Sequence, residues 1–334
     1  MAKLKKLADF IFDRNYRFMV LARKGFYDFL PDKNYVVRES TANIGYTPNV
    51  ETPVSFNDKM QWLKLYDRNP FYSKLVDKYS VREFVEERIG SDSLIPLVGG
   101  PWKSVEDIDI DALPDKFVLK CTHDSGGVFV CKDKASFNWN AVKDKLSAHL
   151  SKNYFYQHRE WPYKNVRPLV VAEAYLHDEP VSSCDCNEHP SVSVDYIQSR
   201  HGLVDYKITC FNGKARLFMI FVGVLGSEMK SEDYFENTYN EHFSSLDLVD
   251  CLPVIAHRYP REIEKPPFFE EMIEKAEKLA AGIPLVRVDF YHSGNFVKFG
   301  EMTLYPDAGM TLYKPDHWDR TLGSWLQLPE SKTL

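Results

Sequence analysis

Hydrophobic positions recur along this chain with two periods, and the switches between them mark its elements. Residues 58–89, "DKMQWLKLYDRNPFYSKLVDKYSVREFVEERI", carry apolar side chains at helical spacing and read as two helices broken at Asn69-Pro70. "SLIPLVGG" then reads as a short strand ending in a Gly pair. "KFVLKC" and "GVFVCKD" are β-rich runs on either side of "THDSGG". A helix is predicted over 138–151, and "RPLVVAEAYL" as a buried strand. The polar segment 177–203, with Pro180 and Pro190, reads as a surface insertion. "DYKITCFNGKARLFMIFVG" (205–223) is a hairpin about Asn212-Gly213, and "PFFEEMIEKAEKLAAG" (267–282) an amphipathic helix ending in Gly. Hairpins alternating with helices favour an α+β fold over a doubly wound parallel sheet.

At the N-terminus Leu4, Leu7, Phe10 and Ile11 fall at helical spacing, interrupted by charges that no signal peptide carries. That helix is expected either to dock on the protein or to lie peripherally on a membrane surface. No run approaches the roughly 20 apolar residues needed to span a bilayer. A net charge of −6 argues against a general nucleic-acid binder. The six cysteines form no framework and are expected to be reduced, in a cytoplasmic protein that could sit at the inner face of the membrane. "CDCNEH" (184–189) has ligands too close together for the usual zinc spacing.

Three stretches carry candidate chemistry. "VRVDFYHSGNFVKFGEMTLYP" (286–306) sets Asp289 and Glu301 in two strand-like runs with a turn expected at His292-Ser293-Gly294-Asn295. Burying a carboxylate among Val and Phe is costly without a cation, a proton or strong donors. On a hairpin, two acids at corresponding depth can face one ion, or simply be exposed at a rim. "LKCTHDSGGVFV" (119–130) places Gly126-Gly127 between strands, where loop amides can cradle an anion and Lys120 can reach it, although an ordinary hairpin turn has the same look. "VVAEAYL" (170–176) puts Glu173 inside an apolar strand, to be met by an amine, a hydroxyl or a salt bridge.

The order of these features resembles the ATP-grasp superfamily, and more narrowly the ATP-grasp family named for a teichuronopeptide biosynthesis protein of bacterial surface-polysaccharide loci. The resemblance covers about residues 50 to 328, through "SFNDKMQWLKLYDRNP", "DKYSVREFV", "LPDKFVLKCTHDSGGVFVCKDK", "REWPYKNVRPLVVAEAYL", "DYKITCFNG" and "VRVDFY…FGEMTLYPDAG". It implies a nucleotide held between two α+β subdomains: an N-terminal helical region (1–50), the N-terminal part of the module (51–115), a glycine-loop subdomain (116–176), the insertion (177–203) and a C-terminal metal-binding subdomain (204–328). It further implies Lys78 and Lys120 on the ATP phosphates, and Ser125, Gly126 and Gly127 in the loop over them. Glu173, Tyr175 and Leu176 would read the adenine, and Asp178 or Glu179 the ribose. Asp289 and Glu301 would hold Mg²⁺, with Thr303 where Asn is usual and so a weak third ligand. Arg287 would stabilise charge on the reacting group and Lys207 would add a further phosphate contact. The implied reaction is activation of a carboxylate, of a small molecule or saccharide, as an acyl phosphate that an amine attacks. Two other readings remain: a glycosyltransferase or sugar kinase, for which the D-x-D runs at 107–109 and 109–111 are a formal match, and a nucleotide-binding protein without catalysis.

Overall fold

The structure, a computed structural model, describes residues 2–176, 191–223, 234–250, 257–293 and 296–330. It opens on helices α1 (Ala2–Phe12), α2 (Arg14–Ala22) and α3 (Asp32–Ile44). Asp13 separates the first two by capping α2, its carboxylate accepting from the amides of Asn15 and Tyr16. Helices α2 and α3 share a small core of Phe18, Ala22 and Tyr35. Helix α1 has no buried residue among those whose burial is described: Phe10 is half-buried, and Leu7, Ile11 and Phe12 are exposed. No described helix is long and apolar enough to cross a membrane.

Helix α4 (Phe56–Tyr66) starts at a reciprocal cap between Ser55 and Asp58. The helix expected after Asn69-Pro70 is two helices, α5 (Tyr72–Val76) and α6 (Val81–Ile89). Asp77 makes the break by accepting from the Tyr79 amide and the Ser80 hydroxyl. The Lys78 amide, freed from helix, donates to the Thr122 carbonyl at 3.0 Å and pins the break to the first sheet.

That sheet contains β1 (Leu97–Trp102), β2 (Phe117–Cys121), β3 (Val128–Cys131) and β4 (Val170–Ala174), antiparallel in the order β1-β4-β2-β3. β1 runs through the Gly pair instead of ending there. A Cβ on Gly100 would sit 2.8 Å from the Val170 carbonyl, so only glycine permits this approach of β1 to β4. Helix α7 (Trp139–Leu150) packs Leu146 with Phe117 and Leu119, and the short α8 (Phe155–His158) follows it.

After the undescribed residues 177–190 come β5 (Ser191–Val192) and α9 (Val194–His201). The expected surface insertion is corrected over 191–203: Val192, Val194 and Ile197 are buried in the larger core, while the "CDCNEH" run, Asp178 and Glu179 lie outside the described residues. The second sheet is built from β6 (Asp205–Phe211), β7 (Lys214–Val222) and β8 (Phe235–Tyr239). The short β9 (Val249–Asp250) and β10 (Glu262–Ile263) and helix α10 (Phe269–Ala280) precede its last strands, β11 (Leu285–Ser293) and β12 (Phe296–Thr303). Its five strands are antiparallel in the order β12-β11-β6-β7-β8. Asn212 and Gly213 turn β6 into β7 with φ of +49° and +80°, as a two-residue hairpin requires. His292 and Ser293, expected in a turn, still belong to β11, and Gly294 and Asn295 lie outside the described residues. Met272, Ala276 and Leu279 of α10 share the core with Ile208, Val286 and Val288 on one face of this sheet. The chain closes with β13 (Tyr313–Lys314) and α11 (His317–Trp325). The fold is α+β.

Candidate active site

On the face of the second sheet opposite α10, register decides which side chains meet, because directly paired residues project to the same side. Asp289 pairs with Glu301 on one flank and with Lys207 on the other, and Lys207 pairs with Met219. The adjacent row is Thr303, Arg287, Thr209 and Leu217. Asp289 is 2% exposed and is met by three charge-assisted bonds: from Arg287 Nε at 2.7 Å, from Arg287 Nη2 at 2.8 Å and from Lys207 Nζ at 2.9 Å. Lys207 also donates to Asp205 at 2.5 Å. Thr303 faces Arg287 Nη2 at 3.4 Å. Glu301 is the open member of the row, with Arg287 Nη2 and Lys78 Nζ each 3.6 Å away, outside hydrogen-bond distance.

Burial opposes charge on Asp205, Lys207, Arg287 and Asp289 alike, and mutual attraction overcomes it at all but Asp205. Asp289 is nevertheless held below its ordinary range by Arg287 and Lys207. Arg287 and Lys207 are raised, through Asp289 in the first case and through Asp205 and Asp289 in the second. Asp205 is raised, because burial and the neighbouring Asp289 outweigh Lys207.

The first sheet supplies the facing charges. Glu173, 6% exposed on the central strand β4, accepts from Lys120 at 2.6 Å, with Arg82 of α6 at 3.6 Å. The salt-bridge alternative for this acid is therefore the one observed. The loop from Thr122 to Gly127 joins β2 to β3; the Gly127 carbonyl accepts from the Cys121 amide at 2.7 Å. Gly126 has φ +91° with open space around it. At Gly127 a Cβ would lie 2.6 Å from Asp124 Oδ1 and 2.7 Å from the Cys121 Cβ. Lys78 Nζ donates to the Asp124 carbonyl at 2.5 Å, and the Asp124 carboxylate bonds His149 Nδ1 of α7. Three buried atoms of this loop, Thr122 Oγ1, His123 Nδ1 and Asp124 Oδ1, have no hydrogen-bond partner. Tyr175 and Leu176 follow β4 and are the last residues before the undescribed stretch; the Tyr175 ring lies 6.0 Å from Lys116 Nζ.

A cleft of about 320 Å³ opens on this face of the second sheet, its polar lining supplied by Ser125 of the first-sheet loop and by Lys207, Arg287, Glu301 and Asp307. Neither D-x-D run borders it. Lys78, bonded to the Asp124 carbonyl of the first-sheet loop, approaches Glu301 to 3.6 Å, so that loop and the Glu301 carboxylate are within one side chain of each other.

The model of the family described as "TupA-like ATPgrasp" matches residues 58–186 and 191–327. The chain belongs to the TupA-like ATP-grasp family. Among curated proteins nothing matches it. The solved structures similar to it include the D-cycloserine synthetase DcsG, at 14% identity over 70% of this chain and 64% of that one, TM-score 0.35. A D-alanine–D-alanine ligase from Helicobacter pylori shows 14% identity over 75% and 61%, TM-score 0.39. The ATP-grasp ligase PsnB, in complex with a precursor variant, Mg and ADP, shows 10% identity over 95% and 70%, TM-score 0.36. The chain thus spans less than two thirds of the first two, and at such scores the membership rests on the family match alone.

Within this TupA-like ATP-grasp chain, the sequence-predicted residues fall into two groups. Lys207, Arg287, Asp289, Glu301 and Thr303 share two cross-strand rows, and Lys78, Ser125, Gly126 and Gly127 stand at the loop facing them. Of these, Ser125, Lys207, Arg287 and Glu301 line the cleft; Lys120 and Glu173, paired with each other, and Tyr175 and Leu176 after β4 form the second group, off the cleft. Sequence reasoning missed Arg82, Asp124, His149 and Asp205. Asp205 had a signal, standing two residues before Lys207 on a strand and hence on the same face.

Proposed function

We propose that this chain is an ATP-dependent ligase that activates a carboxylate as an acyl phosphate and joins it to an amine, in assembly of a bacterial surface polysaccharide. The observation that carries the reading is the row Glu301, Asp289, Lys207, flanked by Arg287 and facing Lys78 and the glycine loop. Phosphoryl transfer asks mainly for positioning and charge neutralisation, which these residues supply. In this reading Lys78 and Lys120 hold the phosphates, Ser125, Gly126 and Gly127 cover them, and Glu173, Tyr175 and Leu176 border the adenine.

Asp289 and Glu301 fit a magnesium ion: both donors are carboxylate oxygens, and Glu301 holds none of its ion pairs at hydrogen-bond distance. Asp289 and Glu301 are the residues that would hold Mg²⁺, whose charge would offset that of the phosphates. Thr303, turned on Arg287, is the weakest member of that set. The Arg287 guanidinium, fixed by two bonds to Asp289, keeps Nη1 outside that fork for the charge that grows on the transferred group.

Adding ATP and Mg²⁺ at about 100 times the dissociation constant should stabilise the fold by about 2.7 kcal/mol. An unchanged melting temperature at saturating nucleotide counts against the reading. Release of ADP, not AMP, in the presence of acid and amine separates acyl-phosphate from adenylate chemistry.

A further inference from the structure

The second sheet changes character abruptly along each of its two site rows. Glu301, Asp289 and Lys207 are followed on β7 by Met219, and Thr303, Arg287 and Thr209 by Leu217. On the same face Phe221 opposes Asp205, with Lys207 Nζ 5.1 Å from its ring centroid. From Leu217 to Val222, β7 is therefore apolar on both faces, because Phe218, Ile220 and Val222 fill the core behind it. A strand with one face turned to a polar cleft ordinarily alternates apolar with polar. Other elements that line the cleft continue the pattern with Phe56, Leu248 and Leu322, and add the Tyr313 phenol. Deep in that half, Thr209 is the one hydroxyl among the side chains of the two rows that reaches the hydrocarbon.

We infer that this apolar end is the acceptor-acid subsite and that it takes a carboxylic acid with a hydrocarbon body, aliphatic or aromatic, in preference to a polyhydroxylated acid such as a hexuronate. The inference rests on the ligase reading above and revises its expectation of a saccharide acid. The charged end fixes which way the acid lies. Glu301 and Asp307 share that end, so the cations Arg287 and Lys207, with the Ser125 hydroxyl, are the groups there that draw a carboxylate, and this leaves the body against Leu217, Met219 and Phe221. Lys120 and Glu173, the nucleotide-side pair, border no part of this pocket. A hexuronate would carry several hydroxyls into a half that offers Thr209 and the Tyr313 phenol, and each hydroxyl stripped of water without a partner weakens binding. A hydrocarbon body of similar size gains from the same burial.

The test uses the full chain, ATP, Mg²⁺ and hydroxylamine as the amine. A carboxylate oxygen attacks the γ-phosphorus, the bond to the β-bridging oxygen breaks and ADP leaves. The hydroxylamine nitrogen then attacks the acyl carbon, phosphate departs with the bonding pair, and a nitrogen proton passes to water. At equal concentrations, 4-methylpentanoate and 3-phenylpropanoate should each give at least tenfold more hydroxamate than glucuronate or galacturonate. A ratio below tenfold, or no hydroxamate from either set while ATP still raises the melting temperature, overturns this inference alone. No ATP-dependent shift overturns the ligase reading on which it stands. Met219→Gln, which keeps length and adds a polar end, should cut the ratio at least threefold with the ATP shift retained. Phe221→Tyr, on a half-buried ring, should act in the same direction if Met219→Gln does not fold. An unchanged ratio in the folded variant overturns the assignment of this wall.

Discussion

Two buried carboxylates, Asp289 on the second sheet and Glu173 on the first, meet the same cost of burial by different means. Asp289 is held by three short bonds from Arg287 and Lys207, all on paired strands of one sheet. Glu173 has one short bond, from Lys120, and a looser contact with Arg82 on a helix. The neighbouring loop keeps Thr122 Oγ1, His123 Nδ1 and Asp124 Oδ1 buried without hydrogen bonds, against Asp205 Oδ1 alone in the second-sheet cluster. Preorganisation is thus concentrated on the second sheet, where the β-ladder enforces it, while the first-sheet loop retains polar capacity for a ligand.

The largest expected effect is on turnover. Glu301→Gln removes the one acid of the row that no short bond holds, so activity should fall by two or more orders of magnitude. Its melting temperature should stay within a few degrees of wild type, since the side chain is 35% exposed. Activity lost only in proportion to folded protein would place Glu301 with the structural acids.

Asp289→Asn is the structural opposite. It leaves Arg287 and Lys207 buried with less compensation, and should lower unfolding free energy by about 3–5 kcal/mol in urea titration. A loss below about 1 kcal/mol would mean that the second-sheet cluster is no more tightly built than the first.

Glu160, between α8 and the strand β4, is 4% exposed, and burial raises its carboxyl to about 7 against the pull of His158 and Lys64 and with the push of Glu39 and Asp307. Its folded form binds a proton that the unfolded chain has released above its ordinary pKa near 4.5. Stability from this group is therefore present below pH 4.5 and is lost as pH rises to about 7. Glu160→Gln should flatten that slope and gain on the order of 3 kcal/mol relative to wild type at pH 8, measured as the difference in unfolding free energy across the window.

The smallest effect tests the loop. Gly126→Ala meets open space, so only its φ of +91° is at stake. It should cost about 1 kcal/mol of stability and weaken nucleotide binding modestly. Gly127→Ala, which meets Asp124 and Cys121, should cost more. Equal effects would show that the loop yields in both places.

The sequence revealed most where one element suffices. The depth match of Asp289 and Glu301 follows from alternation along a single hairpin, and Asn212-Gly213 announced its own turn. The sharing of a face by Lys207 and Arg287 depends on which strands pair, and no local pattern states that. Arg82 and Glu173, or Asp124 and His149, meet only after helices dock on the first sheet, so their pairing left no spacing to read. Val192, Val194 and Ile197 were hidden by polar neighbours, and two prolines upstream made a buried segment look like an insertion. Family resemblance supplied the order of the site residues; the i, i+2 spacing of Asp205 and Lys207 on one strand was a signal that went unused.

Cys121 closes β2 beneath Gly127 and is fully buried, its thiol pushed up to about 12 by burial and by Asp124. A thiol in that state reacts with alkylating reagents only while the loop above it is lifted. The native chain therefore contains its own clock for loop opening. The iodoacetamide labelling rate of Cys121, followed residue by residue through peptide mass, counts excursions of the glycine loop without any introduced probe, and its slowing by nucleotide measures how firmly that loop is held shut.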